Sequence, residues 1–387
     1  MNNKVEKYID LYKSMFGKRD KNLWIFGSWF GDKFADNSKY LFLEASRLKN
    51  IRSVWVSRNI QIVNELRQKK YEAYIVDSEE AICLQKKAKF FFVSTGIEDC
   101  YFSAVGNAVV INLWHGVPLK KIMYDDKIAF NKKSLYERGY VGGILRKIPL
   151  RNTFITSTST TVQQIYLSCF RKDVKHVPIL GQPRNDMFFD KTLGDDLHTK
   201  LANEKKIILY MPTHRNSGNS KIECNKVFEM QKLDAFCKAN NYVFLIKKHY
   251  YHANEVEELE DYETISDVTQ QDFDSQELLS SADILITDYS SCYIDYLLIN
   301  RPIIFYDYDL QDYLINDREM YFSYDDVTPG YKAGGFMQLM EYLRVIIEQG
   351  VDIYADERKR VCNVFYDKSC QNIVGTKIID FILGFDK

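Results

Sequence analysis

Short apolar runs alternate along the whole chain with segments whose apolar positions recur every three and four residues. Residues 22–26 (NLWIF) make a run suited to a buried strand, and the turn Gly27-Ser28-Trp29-Phe30-Gly31 follows it. Leu41, Phe42, Ala45 and Leu48 then share a helical face, with Asp36 or Asn37 as the expected cap. Residues 51–56, 71–76, 89–94 and 108–114 read as further strands. Helical patterns lie between them at 60–69 and after Ser78, where Glu79 and Glu80 suit the positive end of a helix. Such strand–helix repetition predicts a mostly parallel sheet with helices on both faces.

The rhythm restarts after Gly181-Gln182-Pro183-Arg184. Strands are expected at 205–211, 242–246, 283–287 and 303–305, and helices at 275–281 and 290–299. Two α/β domains follow from this, spanning 1–180 and 181–387 and joined near 175–200, alike in architecture without a sequence repeat. A length of 387 residues fits two domains of ordinary size.

Charge narrows the function. Lys and Arg number 52 against 53 Asp and Glu, so nothing draws the molecule as a whole to nucleic acid, and no such partner is expected. The eight cysteines include no C-x-x-C pair, which argues against a zinc ribbon or a redox motif and for reduced thiols used as small apolar residues in a cytosolic protein. Residues 1–10 lack the apolar core of a signal peptide, and no run approaches the roughly 18 apolar residues of a membrane span. The chain is therefore expected to be soluble or to sit on a membrane without crossing it. One segment departs from neutrality. Residues 127–151 hold seven Lys or Arg and a single acid, Glu137, interleaved with Ile, Leu, Phe and Tyr. That composition suits an anionic bilayer surface at about 1 kcal/mol per nearby cation, with Lys132, Lys133, Arg146 and Lys147 as the expected contacts.

Ligands of open parallel sheets bind beyond the carboxyl ends of the strands. The loops expected there are His115-Gly116-Val117-Pro118, Pro212-Thr213-His214-Arg215, Lys247-Lys248-His249 and Asp288-Tyr289-Ser290-Ser291, a set rich in phosphate-binding groups. Ser290 and Ser291 open a helix, where hydroxyls and free amides receive an anion, although Asp288 and Ser290 would also serve as plain caps. A histidine at a strand end, with an ordinary pKa near 6.5, takes up a proton at neutral pH; His115 and His249 have that placement, as has His214, whereas His176, His198 and His252 are expected on the surface. Asp307 and Asp309 form a D-x-D, but no carboxylate cluster at another strand end completes a cation site, so no tightly bound metal is expected.

These motifs occur in one order: Trp114-His115-Gly116-Val117-Pro118-Leu119-Lys120-Lys121, Gly181-Gln182-Pro183-Arg184-Asn185-Asp186, Tyr210-Met211-Pro212-Thr213-His214-Arg215, Lys247-Lys248-His249, residues 272–279 (DFDSQELL) and Thr287-Asp288-Tyr289-Ser290-Ser291. With residues 26–31 before them and 301–307 after, the series resembles the CDP-glycerol glycerophosphotransferase family, the teichoic-acid primases and polymerases, over about residues 22–345. The resemblance implies a GT-B-like α/β fold, two Rossmann-like doubly wound parallel-sheet domains facing a central cleft. It also implies metal- and cofactor-independent chemistry at the cytoplasmic face of a bacterial membrane. An N-terminal acceptor and membrane-facing domain would precede a C-terminal domain that binds the CDP donor. The implied CDP-glycerol site comprises Trp114, His115, Gly116, Val117, Pro118, Arg184, Pro212, Thr213, Lys247, Lys248, His249, Ser290, Ser291 and Asp295. Two positions depart from the family pattern: His214 stands where Phe is common, and Val117 where Thr is frequent.

The expected reaction moves glycerol phosphate from CDP-glycerol to a hydroxyl of a lipid-linked saccharide or polyol-phosphate acceptor, with release of CMP. His115 would be the base, with His249, Arg184 and the Ser290-Ser291 helix start on the diphosphate, though the two histidines could exchange roles. Cytidine rests on the resemblance alone. CDP-ribitol as donor, or a capsule rather than a wall polymer as product, remains open. A UDP-sugar glycosyltransferase or epimerase would carry a ribose-binding glutamate near the last strand–helix loop, where this chain has Ser290, Ser291 and Asp295. A non-catalytic membrane scaffold would account for the basic segment but not for His, Arg and Ser gathering at four strand ends.

Overall fold

A computed structural model describes residues 2–127, 150–193, 197–213, 223–248, 262–271, 273–310 and 319–386. The chain divides into two compact units, each built on a six-stranded parallel sheet. In the first unit β1 (Asp20–Phe26), β2 (Arg52–Ser57), β3 (Ala73–Ile75), β4 (Ala88–Val93), β5 (Val109–Asn112) and β6 (Thr153–Ile155) lie in the order β3-β2-β1-β4-β5-β6. In the second, β7 (Lys206–Met211), β8 (Tyr242–Ile246), β9 (Ile265–Asp267), β10 (Ile284–Thr287), β11 (Ile303–Phe305) and β12 (Tyr331–Lys332) lie in the order β12-β11-β10-β7-β8-β9. Read from its own first strand, each sheet has the same doubly wound order. Each therefore reverses winding direction once, between β1 and β4 and between β7 and β10.

Wholly apolar strands arise because both sheet faces are covered. Along β1, Trp24 and Phe26 enter one core and Leu23 and Ile25 the other; in β4, Phe90 and Phe92 oppose Phe91 and Val93 in the same way. Successive side chains leave opposite faces, so two helical layers demand apolar residues at every position. Much of the aromatic content is spent here: the rings of Phe26 and Phe92 stack at 4.5 Å, and Trp55 packs edge-on against Phe34 and Phe42. In the second unit Tyr210, Phe228, Phe244 and Tyr306 play the corresponding part.

The units do not meet at one cut near residue 180. The first contains 1–116, 122–189 and 366–387, and the second 117–121 and 190–365. The C-terminal helix Gly375–Leu383 returns to the first unit because Ile378, Ile379 and Ile382 bury in the core of Trp24, Phe26 and Phe42, at about 1.5–3 kcal/mol for each large apolar side chain. Asp186 secures the return, its two carboxylate oxygens each accepting an amide at 2.8 Å, from Val374 and Gly375. Gly181, at φ +91°, sits where a Cβ would lie 2.8 Å from the Val374 side chain. The segment expected to open the second domain thus braces the first.

Among the described residues no helix is long and apolar enough to cross a membrane. Lys132, Lys133, Arg146 and Lys147 lie outside the described residues.

Candidate active site

The loop leaving β5 carries Trp114, His115 and Gly116. Trp114 takes a left-handed backbone conformation, φ 56°, which costs a residue with a Cβ on the order of 1–2 kcal/mol. The loop is held by its carbonyls, four of which in succession accept from side chains. Asn37 Nδ2 donates to the Leu113 and Trp114 carbonyls at 3.2 and 2.8 Å, Arg184 Nη1 to that of His115 at 3.0 Å, and the Tyr166 hydroxyl to that of Gly116 at 3.1 Å. The backbone under His115 is thereby fixed from two helices and the 181–186 segment.

The imidazole is fixed as well. His115 Nδ1 lies 3.0 Å from the Ser94 carbonyl. A carbonyl only accepts, so Nδ1 bears the hydrogen and Nε2 keeps its lone pair. Ser94 is itself anchored: its amide donates to Asp99 Oδ2 at 2.8 Å and its hydroxyl pairs with that of Ser38 at 2.9 Å. Burial pushes the His115 pKa below its ordinary value, against an opposing pull from Asp36. The ring is consequently neutral at neutral pH, a proton acceptor of fixed tautomer. Trp114 and Trp29 flank it, with centroids at 4.2 and 5.6 Å.

Asp36 and Asn37 do not cap the helix Asp36–Ala45; Ala35 holds that position. Asn37 turns to the histidine loop, its Oδ1 accepting the Arg184 amide at 3.1 Å. Asp36 Oδ1 receives Arg184 Nη1 at 3.1 Å in a pair whose side chains are 6% and 12% exposed. Arg184, expected in the donor domain, belongs to the first unit, where it ties the start of that helix to the His115 carbonyl. Asp36, Asn37, Ser94, Asp99 and Tyr166 escaped the sequence reading. Asp36-Asn37 gave the one available signal, a polar pair at a helix start, and it pointed to capping.

The second unit begins at Val117, so the motif 114–121 supplies both units. Val117 and Pro118 are buried. Residues 119–121 run beside 319–321, with the Lys121 amide donating to the Glu319 carbonyl at 2.7 Å and the Tyr321 amide to that of Leu119 at 2.8 Å. At the switch between β7 and β10, Asp288 Oδ1 accepts the Thr213 amide at 2.8 Å and the Thr287 hydroxyl donates to the Met211 carbonyl at 2.7 Å. Pro212 and Thr213 are buried there, while Ser290 and Ser291 are partly exposed. The helix they precede is short, Cys292–Tyr296, and continues as a 3-10 turn, Leu297–Ile299. Ser290 Oγ accepts the Cys292 amide only at 3.4 Å, a weak cap.

Other expected contacts serve this unit's own loops. The Lys247 ammonium donates to the carbonyls of Val268, Thr269 and Gln271 at 3.3, 3.4 and 3.0 Å, and buried Lys248 lies 3.7 Å from Asp267. Buried Asp295 accepts from Gln276 Nε2 at 3.0 Å, and Asp309 from the Tyr289 hydroxyl at 3.0 Å. His214 and His249 lie outside the described residues. Among the described residues no three His, Cys, Asp or Glu side chains gather as a metal site.

A family model described as CDP-Glycerol:Poly(glycerophosphate) glycerophosphotransferase matches residues 11–379. The chain belongs to this family. As a member it is a glycerophosphotransferase, a transferase whose family donor is CDP-glycerol. It is 26% identical over 386 residues to a teichoic acid glycerol-phosphate transferase of Staphylococcus aureus, with 95% of each chain covered. It is also 26% identical over 397 residues to a teichoic acid poly(glycerol phosphate) polymerase of Staphylococcus epidermidis; 96% of this chain matches, spanning about half (52%) of that relative. In fold the glycerophosphotransferase resembles the wall teichoic acid polymerase TagF, with a TM-score of 0.75 and 24% identity over 100% of this chain and 97% of that one. Its two parallel-sheet units are GT-B-like, as expected.

Proposed function

We propose that this enzyme transfers glycerol phosphate from CDP-glycerol to a hydroxyl of a lipid-linked or polymeric acceptor in the synthesis of teichoic acid or a related envelope polymer. The observation that carries the reading is His115, whose Nδ1–H is committed to the Ser94 carbonyl at 3.0 Å and whose Nε2 is left as the basic nitrogen. The acceptor hydroxyl attacks the β-phosphorus and its proton passes to Nε2. The bond from that phosphorus to the bridging oxygen breaks, and CMP leaves with the electron pair. General-base assistance of this kind is worth about 10²–10⁴-fold.

The hydroxyls of Thr213, Ser290 and Ser291 supply hydrogen bonds to the donor's phosphoryl oxygens, each well-aimed donor worth about 10²–10³-fold in the transition state. Pro118 stiffens the segment after β5 and Pro212 the loop after β7. Lys247, Lys248 and Asp295 act one step back, shaping the 267–271 loop and the helix Ser275–Ser281. Arg184 supports His115 rather than the diphosphate. The basic segment 127–151 brings the enzyme to an anionic membrane surface, on the cytoplasmic side, where a lipid-linked acceptor presents its saccharide.

Incubating the purified chain with a lipid-linked disaccharide and either CDP-glycerol or CDP-ribitol, then reading product mass, tests the reading. CMP release with a mass gain of glycerol phosphate is expected. Transfer of ribitol phosphate alone would overturn it.

A further inference from the structure

The first sheet reverses its winding between β1 and β4, and the crevice beyond such a switch is where open parallel sheets receive ligands. The loop leaving β1 at that point is built against backbone preference. Trp29, Phe30 and Gly31 follow one another at φ 48°, 58° and 86°, two of them bulky residues in a region that favours glycine.

Several groups hold the loop there. The Phe30 amide donates to Asp99 Oδ1 at 2.7 Å, and Arg58 Nε to the Phe30 carbonyl at 2.8 Å. The Gly31 carbonyl accepts the Arg58 amide at 2.7 Å and the Ser57 hydroxyl at 2.6 Å. Asp99 is fully buried and takes the amides of Ser94 and Thr95 too, so one carboxylate anchors both this loop and the carbonyl that orients His115. Gly27 permits the arrangement, since a Cβ there would stand 2.6 Å from the Asp99 carbonyl.

Burial does not account for the result. The strained, buttressed turn leaves Phe30 55% exposed. Trp29 is half-buried beside the His115 ring at 5.6 Å, and the Lys33 ammonium lies 5.5 Å from the Trp29 centroid. Strain maintained by such a network, in a turn that sets Trp29 beside a proton acceptor and leaves the neighbouring Phe30 ring exposed, is a mark of a functional surface.

We propose that Trp29, Phe30 and Lys33 form the subsite for the acceptor, and that its ligand is a sugar ring bearing a phosphate. The C–H face of a pyranose packs on aromatic rings, and the ammonium meets the anionic group. A glycerol phosphate chain has no ring to stack and would engage only the cation. The inference rests on His115 being the base, because the subsite delivers the acceptor hydroxyl to it.

Binding without turnover tests the subsite apart from that reading. A water-soluble disaccharide phosphate, a glycerol phosphate oligomer and CDP-glycerol are each titrated by calorimetry into the wild type, Phe30→Ala and Trp29→Ala. Phe30 is exposed, so its variant keeps the fold whatever happens at Trp29, and circular dichroism checks both. Each change should weaken the disaccharide phosphate roughly three- to tenfold while CDP-glycerol and the oligomer shift less than twofold. An unchanged affinity for the disaccharide phosphate in Phe30→Ala overturns the proposal. So does an equal loss for the oligomer, or a loss confined to CDP-glycerol. Failure of the base reading would show separately, as full turnover by His115→Ala with the binding differences intact.

Discussion

Replacing Arg184 by alanine distinguishes two roles for one guanidinium. Its motif suggests a grip on the donor diphosphate, whereas its contacts make it a strut under His115. Nη1 lies 3.1 Å from Asp36 and 3.0 Å from the His115 carbonyl, and the ion pair is almost wholly buried. Removing the arginine strands a buried carboxylate that keeps the Asn37 amide at 2.8 Å. Breaking a buried pair costs about 3–5 kcal/mol, and the remaining hydrogen bond favours the lower end. In a unit of roughly 200 residues each kcal/mol moves the midpoint about 2–4 °C, so its melting transition should fall by about 6–12 °C. Releasing the His115 carbonyl should also cut kcat by roughly one to two orders of magnitude, the usual consequence of a misplaced catalytic group. Calorimetric melting, CMP-release kinetics and a CDP-glycerol titration read the three quantities on one preparation. Donor affinity should stay within about twofold. The double change Asp36→Asn with Arg184→Met should recover most of the stability, because no charge is stranded, without recovering kcat. An unchanged melting transition combined with a tenfold weaker donor would refute the strut and return Arg184 to the phosphates.

His115→Ala should lower turnover at least 100-fold with the fold retained by circular dichroism. Because burial lowers the His115 pKa, the acid limb of kcat/KM should lie below pH 6.5; that group's contribution to stability is complete above 6.5 and is lost as pH falls through the lowered value, so melting at stepped pH should show the decline. The pair Ser290→Ala with Ser291→Ala, where the cap is only a 3.4 Å contact, should cost under about 1 kcal/mol of stability yet weaken CDP-glycerol about tenfold by calorimetry. Reversing Lys132, Lys133, Arg146 and Lys147 to Glu should abolish flotation with anionic vesicles while leaving turnover on a short water-soluble acceptor nearly intact, and added salt should weaken vesicle binding of the unmodified protein.

Both sheets were legible in the sequence because each core strand buries two faces and so reads as an unbroken apolar run. Residues 242–246 and 303–305 coincide with β8 and β11, and 275–281 with a helix. Weaker patterns hid the rest. β6, β9 and β12 are two or three residues long and mix polar with apolar residues, unlike the equally short but wholly apolar β11, and the N-terminal helix Asn2–Lys13 covers a stretch read only for its lack of an apolar core. The strand-end rule also placed His115, Thr213 and Ser290 in loops beyond β5, β7 and β10. What those loops hold on to was decided elsewhere in the chain. Asn37 meets Leu113 across 76 positions, Arg184 meets Asp36 across 148, and Asp186 caps a helix 188 residues away. Periodicity along a chain records which face is buried, an average over many weak contacts, and so survives in local sequence. A hydrogen bond has one partner, and that partner is set by packing distant segments together. Asp36 and Asn37 could therefore look like caps, and Arg184 give no sign of its contact with Asp36, until the folded chain brought all three to the histidine loop.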